Sequence, residues 1–446
     1  MHFVLGEYRI TGRRATDIAA DVERAIDQGV LMPGAALPPL RELAEELSVN
    51  PNTVAAAYRL LRDRGVIETA GRRGSRVRQR PATTSRDAVR VDVPPGVRDV
   101  SEGNPDPALL PALDQAFAAA LERHAADPAL YGRPPADPEL VALARSAFDA
   151  DGVPAGPVAV TSGSLDAIER ALTAHLRPGD AVAVEDPGWG SVFDMLPALG
   201  LRPVGVAADD DGPLPGEVDR ALRQGARALL VTDRGQNPTG AAIGADRAAA
   251  LREVLAGHPG TLVIDDDHLH GLSDLPVHPL SGVTTHWVLV RSVAKAYGPD
   301  LRLGVLTGDP VTVGRIAGRH RLGPGWVSHL LQRAVVHLWR TGAVDPAAVA
   351  AAYAVRRDGL LAALADRGVA ATGRSGMNVW IPVPDETAAV TRLLAAGWAV
   401  APGARFRLSS GPGVRVTVSP LTPADVEPLS AAIAAAVRTA GAGRYG

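Results

Sequence analysis

The sequence predicts an α/β chain in two parts: a small helical unit closed by a β-hairpin, then a large unit of strands alternating with helices. Three observations carry this. The chain is 446 residues long, more than one domain usually holds. Its first 80 residues place apolar side chains at helical spacing and end in a hairpin pattern, whereas later short apolar runs alternate with helical segments. Between the two lies a stretch rich in Pro, Thr, Arg and Asp without periodicity. The expected division is 1–78, a linker over 79–100, and 101–446.

Composition excludes several classes. A hydrophobic content of 46% suffices for a buried core. No apolar run is long enough to span a bilayer, and Met1 to Arg9 is charged where a signal peptide would be apolar. Without Cys there is no disulfide, iron–sulfur cluster or thiolate zinc site. A cytoplasmic protein is expected. Net charge is −3, but residues 1–80 carry 13 Arg against 10 acidic residues, and Arg59 to Arg80 holds eight Arg against Asp63 and Glu68. Such a basic run meets phosphates, or else is a solvated face. Lys295 is the only lysine. Arginine stays protonated and is a poor nucleophile, so a lone lysine in an arginine background is a candidate for amine chemistry.

In the first part, Thr16 is placed to N-cap a helix with Ile18, Val22 and Ile26 on one face, ended by Gly29. Pro38-Pro39 opens a second helix carrying Leu40, Leu43, Ala44 and Leu47. Asn50-Pro51 is an N-cap followed by Pro at the first helical position, and the third helix turns Val54, Ala57, Tyr58 and Leu61 inward until Gly65. Val66-Ile67 and Val77 bracket the turn Gly71-Arg72-Arg73-Gly74. That order is the winged helix-turn-helix, with the third helix set for a major groove.

Here the chain resembles the GntR-type winged helix over roughly residues 8–79. The match rests on Gly34 to Pro38, Leu40-Arg41-Glu42-Leu43-Ala44, Val49 to Val54, Gly65 and the wing. The resemblance implies binding of double-stranded operator DNA through Arg41, with Asn52, Thr53 and the wing's Arg72 and Arg73 as further contacts. Pro51 stands where that family often places a DNA-contacting Arg.

In the second part, strands are expected at Val158–Thr161, Ala181–Val184, Leu229–Thr232, Leu262–Ile264 and Val288–Val290, with the site at their carboxyl ends. After each comes a chemically useful group. Thr161-Ser162-Gly163-Ser164 precedes a helix, where small residues and the helix dipole suit a phosphate, although this is also ordinary cap chemistry. Asp186-Pro187-Gly188-Trp189 offers an aromatic ring. Gln236-Asn237-Pro238-Thr239-Gly240 offers Asn237 in what is also a common turn. Asp265-Asp266-Asp267 ends a strand in three carboxylates, costly unless a cation such as a pyridinium is near. Ser292-Val293-Ala294-Lys295 supplies the amine, and Arg302 a forked phosphate ligand. The carboxylates with His268 and His270 also offer a metal alternative, since alternation would let both His face one way. The joint pattern favours an organic cofactor, and no metal is expected.

Together these motifs resemble fold-type I aminotransferases over roughly residues 100–440, a large α/β sheet domain with a smaller α+β subdomain. The resemblance extends to Tyr131-Gly132, Tyr353, Arg356-Arg357-Asp358 and Val414-Arg415-Val416. It implies pyridoxal 5'-phosphate, with Lys295 as the imine lysine, Asp266 on the pyridinium, Trp189 stacked on the ring, and Ser162, Gly163, Ser164, Ser292 and Arg302 around the phosphate. Asn237 would meet the phenolic oxygen, Tyr131 would reach the phosphate from a second subunit, and Arg415 would hold a carboxylate. His268 stands where a Tyr is usual, and Ala294 where a Ser is common. A GntR-like winged helix fused before such a domain resembles the MocR regulators. That implies a domain-swapped homodimer sensing a small-molecule effector: a B6 vitamer, an amino acid or an amine. An active aminotransferase with a non-regulatory N-terminal domain is the alternative.

Overall fold

The computed structural model describes residues 10–27, 30–32, 34–63, 66–69, 74–77, 86, 92–273 and 275–438. In the amino-terminal unit, α1 (Ala15–Asp27), α2 (Leu40–Glu46) and α3 (Pro51–Asp63) precede a hairpin of β1 (Ile67–Thr69) and β2 (Ser75–Val77). Ile18, Val22, Leu43, Val54, Ala57, Tyr58 and Leu61 form one buried cluster with Ile67 and Val77, the apolar faces that the periodicity predicts. Asn50 caps α3, its Oδ1 accepting from Asn52 N at 2.8 Å. Tyr58 Oη donates to Pro38 O at 2.9 Å, tying α3 to the entrance of α2. Ile67 pairs with Val77, and Ala36 adds a bridge to Arg76. One expectation changes. Thr16 is not the N-cap, because α1 already starts at Ala15 and the N–H groups of Asp17 and Ile18 bond to Arg14 O. Gly29, Gly65 and the turn Gly71-Arg72-Arg73 lie outside the described residues.

The main boundary between the chain's two compact units falls between Thr83 and Thr84. The linker predicted over 79–100 runs too far at its end. Arg98–Asp99 is already a strand parallel to Trp398–Ala399, and Arg98 is clamped on Asp425 by two 2.8 Å bonds. Two residues show no periodicity, so the sequence cannot signal such a strand.

The second unit is built on a seven-stranded sheet: β3 (Val158–Thr161), β4 (Ala181–Glu185), β5 (Arg202–Val206), β6 (Ala226–Thr232), β7 (Leu262–Asp267), β8 (His286–Ser292) and β9 (Gly304–Gly308). Their spatial order is β3-β9-β8-β7-β6-β4-β5, and β9 runs antiparallel to both neighbours. The central strands are continuous apolar runs because helices cover both faces. Two strands escape the sequence pattern. Arg202–Val206 contains Pro and Gly, tolerable at the sheet edge it occupies. Gly304–Gly308 is bounded by glycines, and a Cβ on Gly304 would lie 3.0 Å from the Gly163 carbonyl carbon. A smaller antiparallel sheet orders β10 (Asn378–Pro382), β12 (Gly413–Thr417) and β11 (Ala401–Pro402), with helices Pro346–Ala365, Glu386–Ala395 and Pro423–Arg438 around it. Among the described residues no helix is long and apolar enough to cross a membrane.

Candidate cofactor site and nucleic-acid interface

At the carboxyl ends of β6, β7 and β8 the chain encloses a cavity of about 210 Å³, lined among others by Gly163, Ser164, Trp189, Asn237, Asp266, His268, Ser292, Lys295, Arg302 and Arg415. Nine of the residues singled out by sequence for cofactor binding therefore share one cleft with Arg415. Side-chain alternation along β7 sorts the three carboxylates. Asp265 accepts from Ser281 N at 2.8 Å and from Ser281 Oγ; burial pushes its pKa up to about 6. Asp267 is fully buried between Arg234 (Nε 2.8 Å, Nη2 3.0 Å) and Arg291 (Nε 2.9 Å). Burial opposes its ionisation, but the two guanidiniums hold it well below the usual carboxylate range. The sequence argument for a waiting cation thus has two answers, and it missed both arginines. Arg291 closes the apolar run of β8 and Arg234 lies in the polar stretch Asp233-Arg234-Gly235 just after β6, and neither carries a motif.

Asp266 faces the cavity, 1% exposed. Among the described residues its Oδ1 has no hydrogen-bond partner, and its Oδ2 lies 3.3 Å from His268 Nδ1, an ion-pair distance without hydrogen-bond alignment. Beneath it Glu185, buried and accepting from Thr232 N at 3.2 Å, is pushed up to about 8 by burial, with the charge of Asp266 adding to the rise. His270 leaves the cavity. Its Nδ1 is 4.0 Å from Asp267, its ring meets Trp339 edge-on, and burial brings its pKa down to about 4. The two histidines therefore do not converge, which removes the geometry the metal alternative needed.

Lys295 sits in the single helical turn Ala294–Tyr297 after β8, and its Nζ donates to Gly103 O. Ser292 Oγ accepts from Ala294 N at 3.2 Å. Arg302 has φ +28°, a strained conformation for a side-chain-bearing residue, and its guanidinium abuts Gly163, whose own φ is +96°. A Cβ on Gly163 would stand 3.5 Å from Arg302 Nη2. Next to them Ser164 begins the helix Ser164–His175, whose first N–H groups need an acceptor. Ser162 is not in the lining, and its N–H donates to Asp166 Oδ2 at 2.9 Å. Tyr131 is likewise outside this cavity, 93% exposed with its ring edge-on to Trp326.

Asn237 follows β6 on a cis peptide to Pro238, and its Oδ1 accepts from Arg415 Nη1 at 2.9 Å. Arg415 also donates to Ser101 O and lies 4.7 Å from the centre of the Phe406 ring. The Trp189 ring is 6.5 Å from that of His268, their planes 33° apart.

In the first unit, Arg41 at the start of α2 and Asn52 at the start of α3 are exposed, while Thr53 is half-buried. Arg72 and Arg73 lie outside the described residues. Arg59 is exposed on α3, two turns beyond Asn52 on the same face. The helical period identifies it as a candidate contact that the sequence showed only as part of the basic run.

Residues 97–433 match the family of class I and II aminotransferases, and residues 14–77 match the gntR family of bacterial regulatory proteins. The vitamin B6 salvage pathway transcriptional repressor PtsJ of Salmonella typhimurium is 42% identical over 434 residues, 95% of this chain and 98% of that one. The HTH-type pyridoxine biosynthesis transcriptional regulator PdxR of Corynebacterium glutamicum is 28% identical over 306 residues, 65% of each chain. Among solved structures, the aspartate aminotransferase of Thermus thermophilus with maleate superposes with a TM-score of 0.66 at 27% identity, covering 76% of this chain and 92% of that one. The chain belongs to the regulators of the MocR type, in which a GntR winged helix is joined to a class I and II aminotransferase domain.

Proposed function

We propose that this chain is a DNA-binding transcription regulator whose aminotransferase-like unit binds pyridoxal 5'-phosphate and reports its presence to the winged helix. The observation that carries the reading is the pairing, in one cavity, of the only lysine in the sequence with a buried carboxylate oxygen that lacks a partner among the described residues. When bound, the cofactor supplies an aldehyde that condenses with an amine and a ring nitrogen whose protonation makes the ring an electron sink. Lys295 is the amine, and Asp266 Oδ1 would hold the proton on the ring nitrogen. Trp189 supplies a stacking face. Gly163, Ser164, Ser292 and Arg302 would surround the phosphate, and Asn237 would reach the phenolic oxygen. Tyr131 of a second copy would complete the phosphate site in a domain-swapped homodimer working in the cytoplasm. On the DNA side, Arg41 leads, with Asn52, Thr53, Arg72 and Arg73.

The similarity to PtsJ, a repressor of vitamin B6 salvage, and to PdxR, a regulator of pyridoxine biosynthesis, favours a B6 vitamer as the effector over an amino acid. Arg415 keeps the second reading open, because a guanidinium in the cavity suits the carboxylate of an amino-acid effector or substrate. The test is spectroscopic. Protein incubated with pyridoxal phosphate should gain a visible band that borohydride abolishes, and Lys295→Ala should lose the band while remaining folded. Retention of the band in Lys295→Ala defeats the assignment. Rapid keto-acid release from added amino acids would transfer the chain to the aminotransferases.

A further inference from the structure

Arg86 stands just past the boundary between the units, on the covalent path from the winged helix to the sheet unit. Its side chain is not left in solvent. Nη1 donates to Arg407 O at 2.9 Å and to Ala404 O at 3.4 Å, and the guanidinium lies 5.6 Å from the centre of the Phe193 ring. The acceptors belong to one segment, residues 403–410, which touches three things at once.

The first is the loop carrying Trp189. Gly188 N donates to Phe406 O at 2.7 Å. A Cβ on Gly190 would fall 2.4 Å from Arg405 O and 3.6 Å from Arg86 Cβ. Trp189 is thus flanked by glycines so that the 405–406 backbone can lie directly against its own. The second is Asp186, whose carboxylate gathers the segment's donors: Leu408 N at 2.9 Å, Ser409 N at 2.8 Å and Oγ at 2.9 Å, Ser410 N at 3.0 Å and Oγ at 2.7 Å. The third is Arg415, which stacks on Phe406. Glu386 adds a further clamp, accepting from Ala404 N at 2.8 Å. The N–H groups of residues 408–410 are therefore held by Asp186, at the start of the loop bearing the cavity's aromatic ring, and the carbonyls of Ala404 and Arg407 by Arg86. A ring settling against Trp189, or a carboxylate drawing on Arg415, would bear directly on residues 405–407, which pack on both. Packed interiors have little slack to absorb such a shift.

We infer that Arg86 is the positioning residue through which residues 403–410 transmit occupancy of the cavity to the chain leading into the winged helix. This rests on the cofactor-sensing reading above. Arg86 is not among the residues that line the cavity, so its replacement separates coupling from cofactor binding. A merely structural anchor would, when removed, weaken DNA binding by the same factor with and without cofactor. A coupling residue changes the ratio of the two affinities.

The experiment measures affinity for duplex from the gene's own upstream region, with cofactor-free and pyridoxal-phosphate-loaded protein, for wild type, Arg86→Ala and Arg86→Gln. Cofactor binding itself is followed by absorbance. In wild type the two affinities should differ by roughly 5- to 150-fold, the usual range of allosteric linkage. In Arg86→Ala the cofactor should bind with wild-type affinity while the ratio falls to about 2-fold or less, and Arg86→Gln, which retains a donor, should keep more of the ratio. A wild-type ratio preserved in Arg86→Ala overturns the inference and leaves the sensing reading standing. A ratio of one in wild type removes the sensing reading, and the inference with it.

Discussion

Replacing Asp267 by Asn isolates the buried charge cluster behind the cavity. The two side chains have the same shape, but the amide brings no charge and turns an N–H toward donors. In the native chain this carboxylate takes three charge-assisted bonds of 2.8–3.0 Å from Arg234 and Arg291, with both guanidiniums almost wholly buried. The substitution leaves two buried cations with Asp151, itself partly exposed, as the nearby counter-ion on Arg291. Breaking a buried pair from one side costs about 3–5 kcal/mol, because the remaining charge stays desolvated. All six tryptophans lie in the sheet unit, so their fluorescence follows that unit alone during urea unfolding. With a slope of roughly 3 kcal/mol per molar, the midpoint should fall by on the order of 1 M. Asp265→Asn is the control. That carboxylate faces Ser281 rather than an arginine, and burial already raises its pKa to about 6, so an uncharged amide should cost less than about 1 kcal/mol. Equal shifts for the two variants would refute the claim that Asp267 is the main counter-charge of the two arginines.

Three further outcomes follow from the same geometry. Glu185, raised to about 8, contributes stability that is complete below its unfolded value of about 4.3 and is lost as pH rises toward 8, so the unfolding temperature of Glu185→Gln should gain on wild type from pH 5 to pH 8; parallel profiles would contradict the burial argument. Tyr58→Phe removes the buried bond to Pro38 O and strands that carbonyl, which should cost the winged helix about 1–3 kcal/mol by amide exchange in α3, and no change would show that the carbonyl finds another donor. Arg41→Ala should lower the salt slope of log K for operator duplex by about 1, and an unchanged slope would place Arg41 away from the phosphates.

The helices of the winged unit were legible because each carries its own local signal: apolar residues at helical spacing, and Asn50-Pro51 at a helix start. The cofactor cleft was legible for a different reason. Its residues sit in short motifs immediately after strands, and strand ends converge in a parallel sheet whatever the intervening chain does. What stayed hidden is long-range. Arg234 and Arg291 are found only when β6, β7 and β8 are laid side by side. Segment 403–410 reveals its importance only once Asp186, more than 200 residues earlier, is seen to collect its donors. Ser162 shows a different limit: the motif gives no sign that its backbone N–H is taken by Asp166.

The most direct test of the account compares one molecule in two states. Fluorescence anisotropy of labelled upstream duplex should be titrated with wild-type protein stripped of cofactor and with the same protein reloaded, at one fixed salt concentration, with Lys295→Ala treated identically. The account predicts that reloading changes the wild-type affinity by roughly 5-fold or more, and that Lys295→Ala shows no such change because nothing anchors in its cavity. Identical curves for stripped and reloaded wild type would contradict the claim that this cavity governs DNA binding.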